Sequence, residues 1–182
     1  ANGHWERYFY DQSGYLTSAV PQIGPSVSFK SGEFGFITNV TSPGDAGPRT
    51  IGLDVNELGW TERIVYPNSL YETFVYDSLG NVTNHTDTAG RTTRFDYLPT
   101  HKLSSIARQF GAGDLTTSVT YDQQFNVKKI TDAKGRAVET YVLDVKARPV
   151  SVTNLEGQTM SVIYGVGDII HSITRFDGSL VS

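Results

Sequence analysis

Phe74-Val75-Tyr76-Asp77-Ser78-Leu79-Gly80-Asn81, followed by Asp87-Thr88-Ala89-Gly90-Arg91 and by Phe95-Asp96-Tyr97, is the stretch that decides the fold. It carries two turn signatures, Tyr-Asp-x-x-Gly and Asp-x-x-Gly-Arg. Between them lie short runs with an apolar or aromatic residue at every second position. Asp at the first corner position bonds its own backbone two residues on, and Gly supplies the positive φ that closes the turn. Arg94-Phe95-Asp96-Tyr97 alternates with period two, the spacing of a strand with one covered face. The unit is therefore two short antiparallel strands and two turns, about 22 residues long, within the range of repeat periods.

Working outward, the position of Asp in Tyr-Asp recurs as Asp11, Lys30, Asp54, Asp77, Leu98, Asp122, Asp144 and Gly165, across the whole chain. The pattern is weakest over residues 17–52. Asp11, Asp54, Asp77, Asp122 and Asp144 are expected to form turns, together with Gly80, Gly90 and Gly135. Ser42-Pro43-Gly44-Asp45-Ala46-Gly47-Pro48 is the densest breaker cluster, either an enlarged corner or a hinge. The residues leading into successive corners are Tyr10, Phe29, Leu53, Tyr76, Tyr97, Tyr121, Leu143 and Tyr164. If neighbouring hairpins pair side by side, Tyr10, Phe29, Tyr76, Tyr97, Tyr121 and Tyr164 form an aromatic column, each ring on its equivalent in the next hairpin. A second apolar row stands two positions earlier. No segment has sustained helical periodicity. The expectation is an all-β chain of antiparallel hairpins: one array of about eight degenerate repeats over residues 1–182. Its strands, about sixteen and short, would lie in one curved or spiralling sheet, with almost no helix.

Tyr76-Asp77-Ser78-Leu79-Gly80-Asn81-Val82 and Tyr121-Asp122-Gln123-Gln124-Phe125-Asn126-Val127 carry one corner signature; Asp87-Thr88-Ala89-Gly90-Arg91-Thr92-Thr93 and Asp132-Ala133-Lys134-Gly135-Arg136 carry the other. In these residues the chain resembles the YD-repeat family, also called Rhs repeats, of bacterial polymorphic toxins, Tc toxin shells and teneurins. The resemblance implies a structural repeat. In that family much longer strips wind into a hollow shell around a cargo polypeptide, and this chain is too short to close one alone.

The bulk properties agree with a β-rich chain. Of 182 residues, ten are Tyr, nine Phe and eighteen Gly, and charged residues are only 19%. A net charge of −4 argues against nucleic acid, which selects basic faces. No run approaches the roughly 18 apolar residues of a membrane-spanning helix. With no cysteine, disulfide and thiolate chemistry are excluded and the redox compartment stays open. Asn39, Asn81 and Asn84 begin glycosylation sequons, and in a chain rich in Asn and Thr chance matches are the preferred reading.

Candidate chemistry is sparse. His4, His85, His101 and His171 lack metal-ligand spacing and read as strand or turn residues. His85 with Asp87, or His171 beside Ser172, would be a fragment of a triad without an oxyanion-hole signal. The corner carboxylates are explained by their turns. Asp45 and Asp114 sit in Gly-rich loops without a calcium-binding pattern. Gly111-Ala112-Gly113 and Gly165-Val166-Gly167 precede no helix, so neither is read as a phosphate loop. Trp5 and Trp60 lie outside the expected columns and are the candidates for ligand or partner contact. The reading is a non-catalytic protein with no cofactor and no metal, secreted or at the cell surface. It would form the wall of a self-assembled tube or fibre, or of a toxin-encapsulating shell, by strand-edge pairing with further copies or neighbouring repeats. The alternative is an adhesion module for carbohydrate or a cell-surface protein.

Overall fold

The computed structural model describes residues 5–111 and 113–182. His4, the corner at Asn2-Gly3 and Ala112 lie outside the described residues. Among the described residues the backbone forms seventeen strands, and the chain divides into two compact units, Ala1–Thr92 and Thr93–Ser182. The first unit holds β1 (Glu6–Tyr10), β2 (Leu16–Pro21), β3 (Val27–Ser31), β4 (Ile37–Ser42), β5 (Arg49–Val55), β6 (Thr61–Val65), β7 (Tyr71–Tyr76) and β8 (Val82–Thr86). The second runs from β9 (Thr92–Tyr97) through β10 (Leu103–Phe110), β11 (Gly113–Tyr121), β12 (Val127–Thr131) and β13 (Ala137–Leu143). It continues with β14 (Pro149–Asn154), β15 (Thr159–Tyr164), β16 (Ile170–Thr174) and β17 (Leu180–Val181). A single turn of 3₁₀ helix, Val166–Asp168, is the helical element among the described residues.

Within each unit every strand pairs antiparallel with its chain neighbour: β1 with β2 through β7 with β8, and β9 with β10 through β16 with β17. Short loops force this, because two strands joined by a tight turn can only run in opposite directions. Hairpins of one kind turn at Asp11–Gly14, Gly32–Gly35, Asn56–Gly59, Asp77–Gly80, Leu98–His101, Asp122–Phe125, Asp144–Ala147 and Gly165–Asp168. In each, the first turn residue donates its N–H to the carbonyl of the residue after the turn, as Asp77 does to Asn81 at 2.9 Å. We call the residue before such a corner its lead residue and the one after it the trailing residue.

Beside every lead residue the register slips by one, at Phe9/Tyr10, Lys30/Ser31, Asp54/Val55, Val75/Tyr76, Thr120/Tyr121, Val142/Leu143 and Ile163/Tyr164, and opposite Tyr97 between Leu103 and Ser105. Each slip is a β-bulge with its extra residue on the outgoing strand. Where that residue is threonine its hydroxyl donates to the carbonyl facing it: Thr17 to Phe9 at 3.1 Å, Thr38 to Lys30 at 3.2 Å and Thr83 to Val75 at 3.2 Å.

Lead residues from Ser31 to Tyr164 are half-buried, the residues just before them are exposed, and those two before are half-buried again. One side of the sheet is thus partly covered and the other faces water. The interior is thin. Among the described residues only Ala107, Val152 and Ser172 are buried, and no large side chain is fully enclosed.

Two sequence expectations require correction. Asp54 forms no turn; it lies in β5 with its carboxylate 3.8 Å from Arg63, and the corner starts two residues later at Asn56. Asn56-Glu57-Leu58-Gly59 has an acceptor side chain first and Gly at the left-handed fourth position (φ 83°), whereas a turn starting at Asp54 would put Glu57 there. Likewise Lys30 lies within β3, and the corner is Gly32–Gly35, closed by Gly35 at φ 80°. Phe29 therefore stands two residues before the lead position, which Ser31 occupies. A shift of two keeps the side chain on the same face, so the period-two pattern could not reveal it.

Candidate functional site

Among the described residues the corner recurs along the chain, so the site is built from it. Asp11, Asp77, Asp122 and Asp144 each accept two backbone N–H bonds on one carboxylate oxygen, from the second and fourth residues beyond. Asn56 does the same with its amide oxygen, to Leu58 at 3.1 Å and Trp60 at 3.0 Å. At the opposite margin Asp87 and Asp132 repeat the arrangement, before Gly90 and Gly135, both at φ 77°. Gly80 closes the Asp77 corner at φ 86°.

At Asp87, Asp132 and Asp144 the second carboxylate oxygen takes an arginine, while at Asp77 and Asp122 it takes an asparagine amide. Arg91 Nε donates to Asp87 at 2.8 Å, Arg136 Nε to Asp132 at 2.9 Å and Arg148 Nε to Asp144 at 2.8 Å. These guanidinium bonds, then the backbone N–H groups, hold the three aspartates below the usual carboxylate range. At Asp122 the Asn126 backbone and side chain do it, and at Asp177 Ser179 does.

The corners also interlock successive hairpins. The Tyr76 hydroxyl donates to the Thr61 carbonyl at 2.6 Å, Tyr121 to Leu103 at 2.6 Å and Tyr164 to Pro149 at 3.1 Å. In all three the acceptor is the residue just after the trailing residue of the preceding hairpin. The trailing residue itself lies against the tyrosine ring. Trp60 meets Tyr76 at 5.3 Å between centroids, Lys102 Nζ stands 5.8 Å from the Tyr121 ring, and the Arg148 guanidinium 4.0 Å from the Tyr164 ring. A two-residue seat on one hairpin thus receives the lead tyrosine of the next. The expected column of lead rings stacked on one another is corrected in this respect: at Tyr76, Tyr121 and Tyr164 the ring's neighbour is the preceding trailing residue.

In the first unit the trailing residues also cover the next corner's glycine. A Cβ on Gly35 would lie 2.5 Å from the Tyr15 ring, one on Gly59 2.9 Å from Phe36, and one on Gly80 2.9 Å from Trp60. Trp60, read from sequence as a candidate ligand contact, is half-buried between Gly80 and Tyr76. Trp5 stays 44% exposed, with the Arg7 guanidinium 4.8 Å from its ring. The trailing residues Tyr15, Phe36, Lys102 and Arg148 escaped sequence reading, and Trp60 was read only as a ligand contact, because the chemistry of the position varies. Their signal was positional: the residue after the fourth corner position is bulky.

Of the remaining candidates, His85 bonds Glu72 at 2.9 Å, not Asp87, and stacks on Phe74 at 4.8 Å. Glu72 also accepts from the Tyr66 hydroxyl at 3.2 Å. Ser172, beside His171, is buried. Asp114 is paired with Arg94. Gly165–Gly167 enter the 3₁₀ turn, and the lead tyrosine Tyr97 precedes the Leu98 corner. Tyr141 is pushed up to about 12, first by its hydrogen bond to Glu139 and then by burial. Among the described residues no group of three His, Cys, Asp or Glu could hold a metal ion, and no helix is long and apolar enough to cross a membrane.

Compared with known proteins, residues 76–106 match the family described as RHS Repeat. Among curated proteins no match was found. Of the solved structures, the crystal structure of TcdB2-TccC3-Cdc42 is similar at 11% identity and a TM-score of 0.41, covering 92% of this chain and 13% of that one. A porin-like protein from Bacteroides uniformis is similar at 11% identity and a TM-score of 0.39, covering 89% of this chain and 84% of that one. The Photorhabdus luminescens Tc holotoxin pore is similar at 13% identity and a TM-score of 0.28, covering 92% and 12%. The chain thus spans about an eighth of the two toxin chains.

Proposed function

We propose, from the premise that this chain belongs to the YD-repeat (Rhs-repeat) family, that it is a non-catalytic piece of wall. The wall is that of an extracellular tube or fibre built from further copies, or of a toxin-encapsulating shell built from neighbouring repeats. One array of degenerate hairpins over residues 1–182 is the unit of construction.

The observation that carries this reading is the recurrent seat: lead tyrosines 76, 121 and 164 each anchor on the preceding hairpin by ring and hydroxyl together. Such a joint sets the register of one hairpin on the last without a globular core, so an array can lengthen by repetition. The thin interior fits the same use. Tyr8, Phe9, Val75, Val142 and Ile163 stay about half exposed, as suits a surface completed by other chains or by cargo.

Sedimentation velocity and negative-stain electron microscopy over a concentration series test the reading. A stand-alone wall subunit gives regular polymers that lengthen with concentration. A piece of a larger shell gives irregular association or none, and becomes ordered only when expressed within its repeat array. A concentration-independent monomer that hydrolyses or modifies an added substrate would sink both forms.

A further inference from the structure

We infer that the joint between β12 and β13 is a binding site for a tyrosine side chain of a second polypeptide segment, its ring laid between Asn126 and Leu143 and its hydroxyl on the Val127 carbonyl. Both strands belong to the second unit, and the inference stands whether or not copies of the chain assemble.

The joints within each unit share one construction. The ladder between neighbouring hairpins ends three residues short of the lead and trailing positions. Its last pairs are Ser18 with Ser28, Asn39 with Gly52, Arg63 with Thr73, Ser105 with Ser118, Lys129 with Thr140 and Ser151 with Ser161. Beyond that point the strand ends leave a wedge between them. The trailing and lead residues at its mouth are Tyr15 with Ser31, Phe36 with Val55, Trp60 with Tyr76, Lys102 with Tyr121, Asn126 with Leu143 and Arg148 with Tyr164. Each pair supplies at least one aromatic ring except Asn126 with Leu143.

At that joint the Asn126 amide turns back to its own corner, donating to Asp122 at 3.1 Å. Leu143 is shorter than a tyrosine and carries no hydroxyl. The result is a cleft of about 620 Å³ between the Asp122 and Asp144 corners, lined by Asn126, Val127, Tyr141 and Leu143 among others. Val127 stands just after the trailing residue, where Thr61, Leu103 and Pro149 present the carbonyls that accept the Tyr76, Tyr121 and Tyr164 hydroxyls. Its carbonyl thus holds the place of a phenol acceptor in a joint whose own lead residue brings no phenol. The side chain that this geometry fits elsewhere in the same molecule is tyrosine. The cleft is of ordinary ligand-site size and exceeds the volume of one ring, so it also admits the main chain that carries the ring. Asp122 and Asp144, both held below the usual carboxylate range, stay ionised at its two ends. They disfavour an anion there and suit a neutral phenol.

Titrating the isotope-labelled protein with a short peptide, a central tyrosine flanked by glycines, reads the site by nuclear magnetic resonance. Amide shifts should concentrate at Asn126, Val127, Tyr141 and Leu143. The counterpart peptide with phenylalanine should bind roughly two- to tenfold more weakly, the worth of one hydroxyl bond. Leu143→Tyr puts the chain's own ring into the cleft and should weaken the tyrosine peptide by about tenfold or more. Leu143→Phe fills the same space and should weaken it likewise, which keeps the test open if one variant misfolds. Shifts absent at millimolar peptide, or concentrated at other exposed apolar residues such as Ile23 and Leu58, would overturn the inference. So would equal binding of the two peptides, or undiminished binding to a folded Leu143 variant. If p-cresol shifts these amides and the tyrosine peptide does not, the cleft takes free phenols and the polypeptide occupant is overturned. None of these outcomes bears on whether the chain polymerises, so the wall reading stands or falls separately.

Discussion

Gly80 shows how much one position carries. Its φ of 86° is a left-handed conformation, and a Cβ there would stand 2.9 Å from Trp60. Gly80→Ala should therefore destabilise by about 1–2 kcal/mol from the backbone alone, with displacement of the indole added. A chemical-denaturation midpoint unchanged from the parent, with unaltered Trp fluorescence, would contradict this. Ala147 is the converse, an alanine held at φ 61°, so Ala147→Gly should raise the melting temperature. A lowered one would mean the methyl contributes packing worth more than its strain. Tyr121→Phe removes only a hydroxyl and leaves the Leu103 carbonyl without it; a loss of about 0.5–1.5 kcal/mol is expected by urea unfolding. Had the ring alone mattered, the substitution would be neutral.

Many of the hairpins are closed by a carboxylate that ties its own turn. Asp87, Asp122, Asp132, Asp144 and Asp177 all titrate below the ordinary aspartate value of 3.8. The folded chain thus binds fewer protons than the unfolded one across that range, and its stability falls as protons are added. The contribution is fully present above about pH 5 and is lost as pH drops through the depressed folded values, below about 4. Thermal melts between neutral and acid pH check it: the melting temperature should hold steady to about pH 5 and then decline, and a rise on acidification would reverse the sign argued here. The turn chemistry was legible where Asp stood first and Gly fourth, as at Asp11, Asp77, Asp87 and Asp132. It was misplaced around Lys30 and Asp54, where the signature is Gly32-Glu33-Phe34-Gly35 and Asn56-Glu57-Leu58-Gly59. The bulges were not legible, because a bulge changes partners across strands and leaves no mark in a single strand's alternation.

As a whole the chain keeps much apolar surface in water, with Ile23, Leu58, Leu79 and Phe110 each more than 60% exposed. A folded protein of this kind should bind an apolar fluorescent dye under native conditions, and the signal should fall as copies assemble. Dye binding that appears only on unfolding would mean these surfaces are already covered. The strand and turn content of this molecule was determined by its sequence, since period-two alternation, Asx turns and left-handed glycines act within a few residues of each other. The same local forces placed Tyr76, Tyr121 and Tyr164 just before their corners. Only tertiary structure decided what those rings rest on. Trp60, Lys102 and Arg148 share no chemical type, and each becomes a seat solely because antiparallel registry brings it opposite a tyrosine some sixteen to nineteen residues further along the chain. Contacts across that separation depend on how one hairpin docks on the next, which no local pattern records.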